Sequence, residues 1–227
     1  MIDRILNFIF PPKCILCGQV LSADTYICIC AVCMNDLEFD SWRFTKIDDK
    51  NIRYNYIDGI LSLCLYKGKI KKSLHRYKFS NKSQYFRTYG RLLSERLKNT
   101  VEFNDIDMII AVPLHKNRER ERGYNQAKLI SKVISKETGI PDRSYVLSRV
   151  RDTAAQRLLS RSERQRNVLD AFKVIEPQKV RDKAVLLVDD ILTTGNTINE
   201  CSKVLKTHGA KKVYGIVIAS GRRDLIG

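Results

Sequence analysis

The chain has 227 residues, is 44% hydrophobic and 29% charged, and carries a formal net charge of +16. That apolar share supports a packed core and excludes global disorder, and the length fits one α/β domain plus a small module. No apolar run approaches the roughly 18 residues of a membrane span, and the opening MIDRILNFIFPPK reads as lacking a basic leader and a small-residue cleavage site, which predicts a cytoplasmic protein whose thiols stay reduced.

Seven cysteines in that setting point to a metal before disulfides. Residues 14–33 read CILCGQVLSADTYICICAVC, so the pairs Cys14-x2-Cys17 and Cys30-x2-Cys33 are separated by 12 residues. Each pair forms a tight turn presenting two thiolates, and together they predict a tetrahedral four-thiolate shell around Zn2+. Gly18 follows the first pair, where such a turn often needs a positive φ. Cys28 is a fifth thiol that could stand in for Cys30, but its spacing to Cys33 is too long for the usual knuckle, which favours Cys30. A closed four-cysteine site keeps no open coordination position, so its role is structural or nucleic-acid-facing rather than catalytic. Cys64 and Cys201 read as small core fillers. These features set a zinc-binding module at 1–45 and a larger domain at 46–227.

Residues 57–66, IDGILSLCLY, predict a strand. In KGKIKKSLHRYKFSNK, which follows, Ile70, Leu74 and Tyr77 form one helical stripe, while Lys69, Lys71, Lys72, Arg76 and Lys78 face elsewhere. A second basic helix is predicted over 83–98. Residues 67–98 hold 11 Lys/Arg against one acid, and residues 115–166 hold 14 against 6. Charge gathered in two blocks suggests a polyanionic partner, the bland alternative being solvated helix faces. Tyr66, Tyr77, Phe79, Tyr85, Phe86 and Tyr89 interleave with the first block; they are either stacking platforms for a single strand or, more commonly, core. His75 is assigned no role.

Residues 107–113, DMIIAVP, predict a buried strand ending at Pro113. A polar, basic loop follows, broken by Gly123, and a helix begins near Tyr124 with Ala127, Ile130 and Ile134 inward. Such a strand-loop-helix passage matters because ligands of open α/β sheets bind at the carboxyl ends of strands. Residues 149–167, RVRDTAAQRLLSRSERQRN, predict a mobile loop, a short helix over 162–167 and a strand over 171–174. Their arginine density suits transient clamping of phosphates.

Residues 184–188 form an apolar run fit for a central parallel strand covered on both faces. Asp189 and Asp190 end it, Thr193, Thr194, Gly195, Asn196 and Thr197 form a turn, and a helix runs on to about His208 with Gly209 closing it. The strand KKVYGIVIAS completes a βαβ unit. A Thr/Gly turn at a helix N-terminus cradles a phosphate. The adjacent carboxylates accept hydrogen bonds from hydroxyls beside it, directly or through hydrated Mg2+. A sugar phosphate meets both demands; the alternative is a capped turn with solvated aspartates.

VLLVDDILTTGNT resembles the phosphoribosyl-pyrophosphate motif of type I phosphoribosyltransferases. Together with the four-cysteine segment, VPLHKNRERERGYNQA and RVRDTAAQRLLSRSERQRNVLDAF, in this order and over nearly the whole chain, it resembles the ComF family. The resemblance implies an α/β fold of the type I phosphoribosyltransferase kind, a twisted and mainly parallel sheet flanked by helices, behind a small N-terminal zinc module. It implies that Asp189 and Asp190 bind the ribose hydroxyls and are the catalytic pair if there is turnover. Thr193, Thr194, Gly195, Asn196 and Thr197 would hold the 5-phosphate, and Pro113, Leu114, His115 and Lys116 would form the pyrophosphate loop. Arg118 and Arg122, with Gly123–Asn125, match the family's RGYNQ-like signature. Arg151, Thr153, Gln156 and Arg164 would belong to the mobile loop. The family's role is in importing single-stranded DNA during natural transformation. For this chain that implies contacts through Lys69, Lys71, Lys72, Arg76, Lys78, Arg118 and Arg122, a competence helicase or other uptake proteins as partners, and a place in the cytoplasm or at the inner face of the membrane. The rival readings are an active phosphoribosyltransferase of nucleotide metabolism and a sensor of phosphoribosyl pyrophosphate.

Overall fold

The computed structural model describes residues 10–39, 43–46, 56–79, 83–152 and 169–221. In chain order its elements are α1 (Ala31–Asn35), β1 (Gly59–Leu65), α2 (Gly68–Phe79), α3 (Ser83–Lys98), β2 (Met108–Ala111), α4 (Lys116–Arg122), α5 (Gln126–Thr138), β3 (Leu147–Arg149), β4 (Phe172–Val174), β5 (Ala184–Leu192), α6 (Asn196–Thr207) and β6 (Lys212–Ser220). Four strands form a parallel sheet in the order β1-β6-β5-β2, and β3 pairs with β4 as a separate antiparallel ribbon.

Strand side chains alternate between faces, and here both faces are apolar, as a parallel sheet between helices requires. Leu61, Leu63, Ile109, Leu186, Val188, Ile216 and Ile218 pack with α2, α3, α5 and the cysteine segment. Ile60, Ile110, Val185, Leu187, Val213 and Val217 pack with α6 and the β3–β4 ribbon. The cysteine segment therefore shares a core with the sheet, through Ile15, Leu16 and Ile29. Among the described residues no helix is long and apolar enough to cross a membrane.

The predicted helix carrying Ile70, Leu74 and Tyr77 and the one over 83–98 are found, as are the strands around 60, 109, 186 and 216. Two differences have physical causes. The segment expected to be a polar loop after β2 contains α4, because KNRERER is mostly strong helix formers but lacks an apolar stripe to signal it. Gly123 ends that helix at φ 82. β5 continues to Leu192, because Asp189 pairs with Val217 and Leu192 with Ser220 on β6. The aromatics Tyr77, Tyr85 and Tyr89 are buried core, with ring centroids 6.2–6.3 Å apart, so those three offer no stacking surface. Tyr66 and Phe86 lean on the same cluster. The predicted helix over 162–167 lies outside the described residues; the predicted strand over 171–174 is β4.

α3 and α5 approach closely at one glycine. A Cβ on Gly90 would stand 2.6 Å from both Cβ and Cγ1 of Val133. Gly90→Ala is therefore expected to destabilise the fold by about 1–3 kcal/mol through overpacking, read as a lowered urea midpoint with an unchanged slope.

Candidate functional site

Asp189 and Asp190 lie half-buried near the carboxyl end of β5, ahead of Ile191 and Leu192, and the N–H of Asp190 donates to Asp189 Oδ1 at 2.8 Å. Because neighbouring strand residues face opposite ways, the two carboxylates serve different surroundings. Burial, then the charge of Asp189, pushes the Cys201 thiol on α6 well above its ordinary value. Burial, then the charge of Asp190, raises the Tyr77 phenol on α2. The carboxylates thus diverge toward the two helical layers, an arrangement suited to accepting from separate hydroxyls and unsuited to a paired acid and base.

The chain leaves β5 through an exposed Thr193 and a half-buried Thr194, then reaches Gly195 at φ 78, a left-handed conformation that glycine adopts without penalty. Gly195 caps α6 with no side-chain hydrogen bond, which leaves the first-turn amides without a side-chain acceptor at the cap. Asn196 is 6% exposed, and among the described residues its buried Nδ2 and the buried Oδ1 of Asn199 have no partner. Thr197 is half-buried on the same turn. Orphan buried groups are rare, and at a helix start they are available to a further molecule. Such a start to a 12-residue helix has the free first-turn N–H groups that an anion cradle needs.

β2 runs parallel to β5, with Ala111 opposite Val188, so the loop after β2 borders the diacid. Pro113, Leu114 and His115 there are half-buried and Lys116 is exposed. His115 caps α4 by accepting from Asn117 N at 3.4 Å. Asp152 lies 3.3 Å from His115 Nδ1 and accepts from Asn117 Nδ2 at 2.6 Å. The GYNQ segment is architectural: Asn125 Nδ2 donates to Val112 O at 3.0 Å, Tyr124 Oη to Tyr77 O at 2.6 Å, and Tyr77 Oη to Gln126 O at 3.0 Å. Arg122 donates to Gln126 Oε1 at 2.8 Å, and Arg118 is half-buried. Arg151 is exposed and donates to Leu169 O at 3.0 Å. Thr153, Gln156 and Arg164 lie outside the described residues.

Arg149 is a residue that the sequence reading did not single out. It ends β3, is 7% exposed, and its guanidinium lies 5.4 Å from the Phe172 ring centroid. Burial and then the charge of Arg118 lower its pKa, while Cys201, Asp152 and Asp189 act in the opposite sense. The signal for it was alternation: Leu147 inward, Ser148 outward, then an arginine at an inward position.

The sulfurs of Cys14, Cys17, Cys30 and Cys33 all lie within 4.8 Å of one another and could hold a metal ion. Cys17 Sγ and Cys30 Sγ are 3.7 Å apart, close to the edge of a tetrahedron with ~2.3 Å metal–sulfur bonds. Cys30 N and Cys33 N point at Cys14 Sγ and Cys30 Sγ, at 3.4 and 3.5 Å. Burial alone would raise the Cys14 thiol; N–H groups of Cys17, Cys30 and Leu16 outweigh it and bring the pKa down to about 6. Gly18 has φ 87, as the turn requires. Cys28 is buried outside the cluster, with its N–H on Thr88 Oγ1 at 3.2 Å, so Cys30 is the fourth sulfur.

Two of the basic residues on α2 face this cluster. Lys69 Nζ sits 3.7 Å from Cys33 Sγ and 2.8 Å from Asp36 Oδ2. Arg76 Nη2 donates to Ile15 O at 2.8 Å and Leu16 O at 3.0 Å, and its Nε to Tyr85 Oη at 3.1 Å. Lys71 and Lys72 are exposed, while the side chain of Lys78 lies outside the described set.

Residues 146–225 match the phosphoribosyl transferase domain, the part of the chain that carries β5, the turn and α6. Competence protein F of Haemophilus influenzae is 36% identical over 144 residues, 62% of this chain and 63% of that protein, so the match spans just under two thirds of its length. DNA utilization protein YhgH of Shigella flexneri is 32% identical over 157 residues, 68% of each chain. Competence protein ComFC of Streptococcus pneumoniae is 29% identical over 225 residues, 88% of this chain and 96% of that protein. With a parallel sheet flanked by helices, a four-cysteine cluster ahead of it and this diacid-and-turn site, the chain belongs to the ComF family and has a fold of the phosphoribosyltransferase kind.

Proposed function

We propose that the chain binds phosphoribosyl pyrophosphate with Mg2+ and acts on single-stranded DNA during natural transformation. The observation that carries the first half is the cradle: a helix start without a side-chain cap, with the buried, unpartnered Nδ2 of Asn196 beside two half-buried carboxylates. Residues 193–197 hold the 5-phosphate, Asp189 and Asp190 accept from the ribose hydroxyls, and His115, Lys116 and Arg149 face the pyrophosphate. Mg2+ would neutralise pyrophosphate charge beside these groups. In a transfer reaction, attack at the anomeric carbon breaks its bond to the pyrophosphate oxygen, and the cations stabilise the departing group.

The second half rests on the charge and on the relatives' printed names. Of the basic residues assigned to nucleic acid, Lys69, Lys71 and Lys72 are exposed, but Lys69 pairs with Asp36 and Arg76 is engaged by the cysteine segment. The four cysteines bind Zn2+ in a structural role, within a module spanning 1–45 ahead of a domain spanning 46–227. The uptake machinery of the cytoplasm, including a helicase, supplies the protein partners, with the chain working in the cytoplasm or at the inner face of the membrane.

Asp189→Asn combined with Asp190→Asn is expected to abolish the thermal stabilisation given by phosphoribosyl pyrophosphate with Mg2+; an unchanged shift counts against the diacid assignment. Pyrophosphate release measured with a panel of nucleobases separates a transferase from a sensor.

Elemental analysis is expected to give one zinc per chain, lost in Cys14→Ser with Cys17→Ser together with much of the thermal stability. Full stability of the metal-free chain sinks the zinc assignment.

Single-strand affinity is expected to fall with salt, and Lys71→Ala with Lys72→Ala to reduce the slope of log K against log[salt] by about 1.4. A slope unchanged by the pair removes α2 from the interface.

A further inference from the structure

The two halves of the site are prepared differently. At the 193–197 turn one buried donor, Asn196 Nδ2, stands without an acceptor among the described residues. At the loop after β2 the donors are already taken by an acid from the same chain. One oxygen, Asp152 Oδ2, sits 2.6 Å from Asn117 Nδ2 and 3.3 Å from His115 Nδ1. Arg149, buried at the end of β3 three residues earlier, has Asp152 among the charges that act on it. An imidazole N–H, an amide N–H and a guanidinium are the donors that a phosphoryl oxygen also requires.

We infer that Asp152 is an internal competitor for the anion that this loop binds, so that its carboxylate must leave His115 and Asn117 before a diphosphate can settle there. This rests on the phosphoribosyl pyrophosphate reading and adds a regulatory contact to it.

The contact is built to be displaced. The Asp152 side chain is 43% exposed, so solvent screens it and leaves it weak. His115 Nδ1 also accepts from Asn117 N at 3.4 Å. One nitrogen cannot accept that N–H and donate to Asp152 at once, so the two bonds compete at His115. Asp152 follows Arg151, which donates to Leu169 O at 3.0 Å. The carboxylate therefore stands on the donors that an incoming anion would use.

The test measures binding of inorganic pyrophosphate and, separately, ribose 5-phosphate to the full chain by calorimetry in the presence of Mg2+. Asp152→Asn and Asp152→Ala are expected to bind pyrophosphate roughly three- to tenfold more tightly than the unmodified chain. Ribose 5-phosphate, which reads the 193–197 turn, is expected to bind unchanged. Glu119→Gln removes the same charge from α4 and separates displacement from a general field effect, so it is expected to change pyrophosphate affinity less. Pyrophosphate affinity that stays level or weakens in both Asp152 variants overturns the inference, as does equal tightening in Glu119→Gln. In those cases ribose 5-phosphate binding still supports the wider reading. Binding of neither ligand to any variant overturns both.

Discussion

A parallel strand covered on both faces has no place for a charge until it emerges from the layers, and β5 obeys that constraint. Ala184 to Val188 are buried among two apolar clusters, and the first carboxylates come where the strand reaches the open edge. The same constraint sets what the diacid can do. Alternation along the strand sends Asp189 toward Cys201 and Arg149, and Asp190 toward Tyr77. Two adjacent residues thus bring opposite sides of the sheet into one site. The β3–β4 ribbon contributes from one side and the α2 and α5 layer from the other.

α2 is the joint of that second side. Its first turn reaches Cys33 and Asp36 through Lys69, its middle holds the carbonyls of Ile15 and Leu16 through Arg76, and its end binds the segment after Gly123 through Tyr77. Hydrogen bonds from a guanidinium to buried carbonyls are worth more than neutral ones, because unmet carbonyls there would bear the full desolvation cost. The basic block of 67–98 is therefore part scaffold and part surface. Counting its charge overstates the field available to a polyanion.

What could be read from the residues follows from which signals are local. Paired cysteine spacing, the apolar run into Asp189 and Asp190, and the Thr-Thr-Gly turn are each set by neighbours in the chain, and the fold and the four-sulfur cluster follow them. α4 escaped because its helix carries no apolar stripe. Arg149 escaped because three residues make a strand too short for a pattern, although its alternation was legible. The engagement of Arg76 by Ile15 and Leu16 spans about 60 positions, and no local pattern reports a partner at that distance.

On the proposed reading, the diphosphate side and the phosphate side differ in what binding gains. A buried donor without an acceptor, such as Asn196 Nδ2, carries its desolvation cost in the free protein, and a ligand oxygen that meets it recovers that cost. Donors held by Asp152 carry no such deficit, because a carboxylate already accepts from them. An anion arriving there exchanges one charge-assisted bond for another and gains only the difference. Affinity on the proposed reading therefore comes chiefly from the 193–197 turn, and discrimination between a phosphate and a diphosphate comes from the loop after β2. A site divided in this way binds its ligand without holding the leaving group tightly, which is what release of pyrophosphate requires.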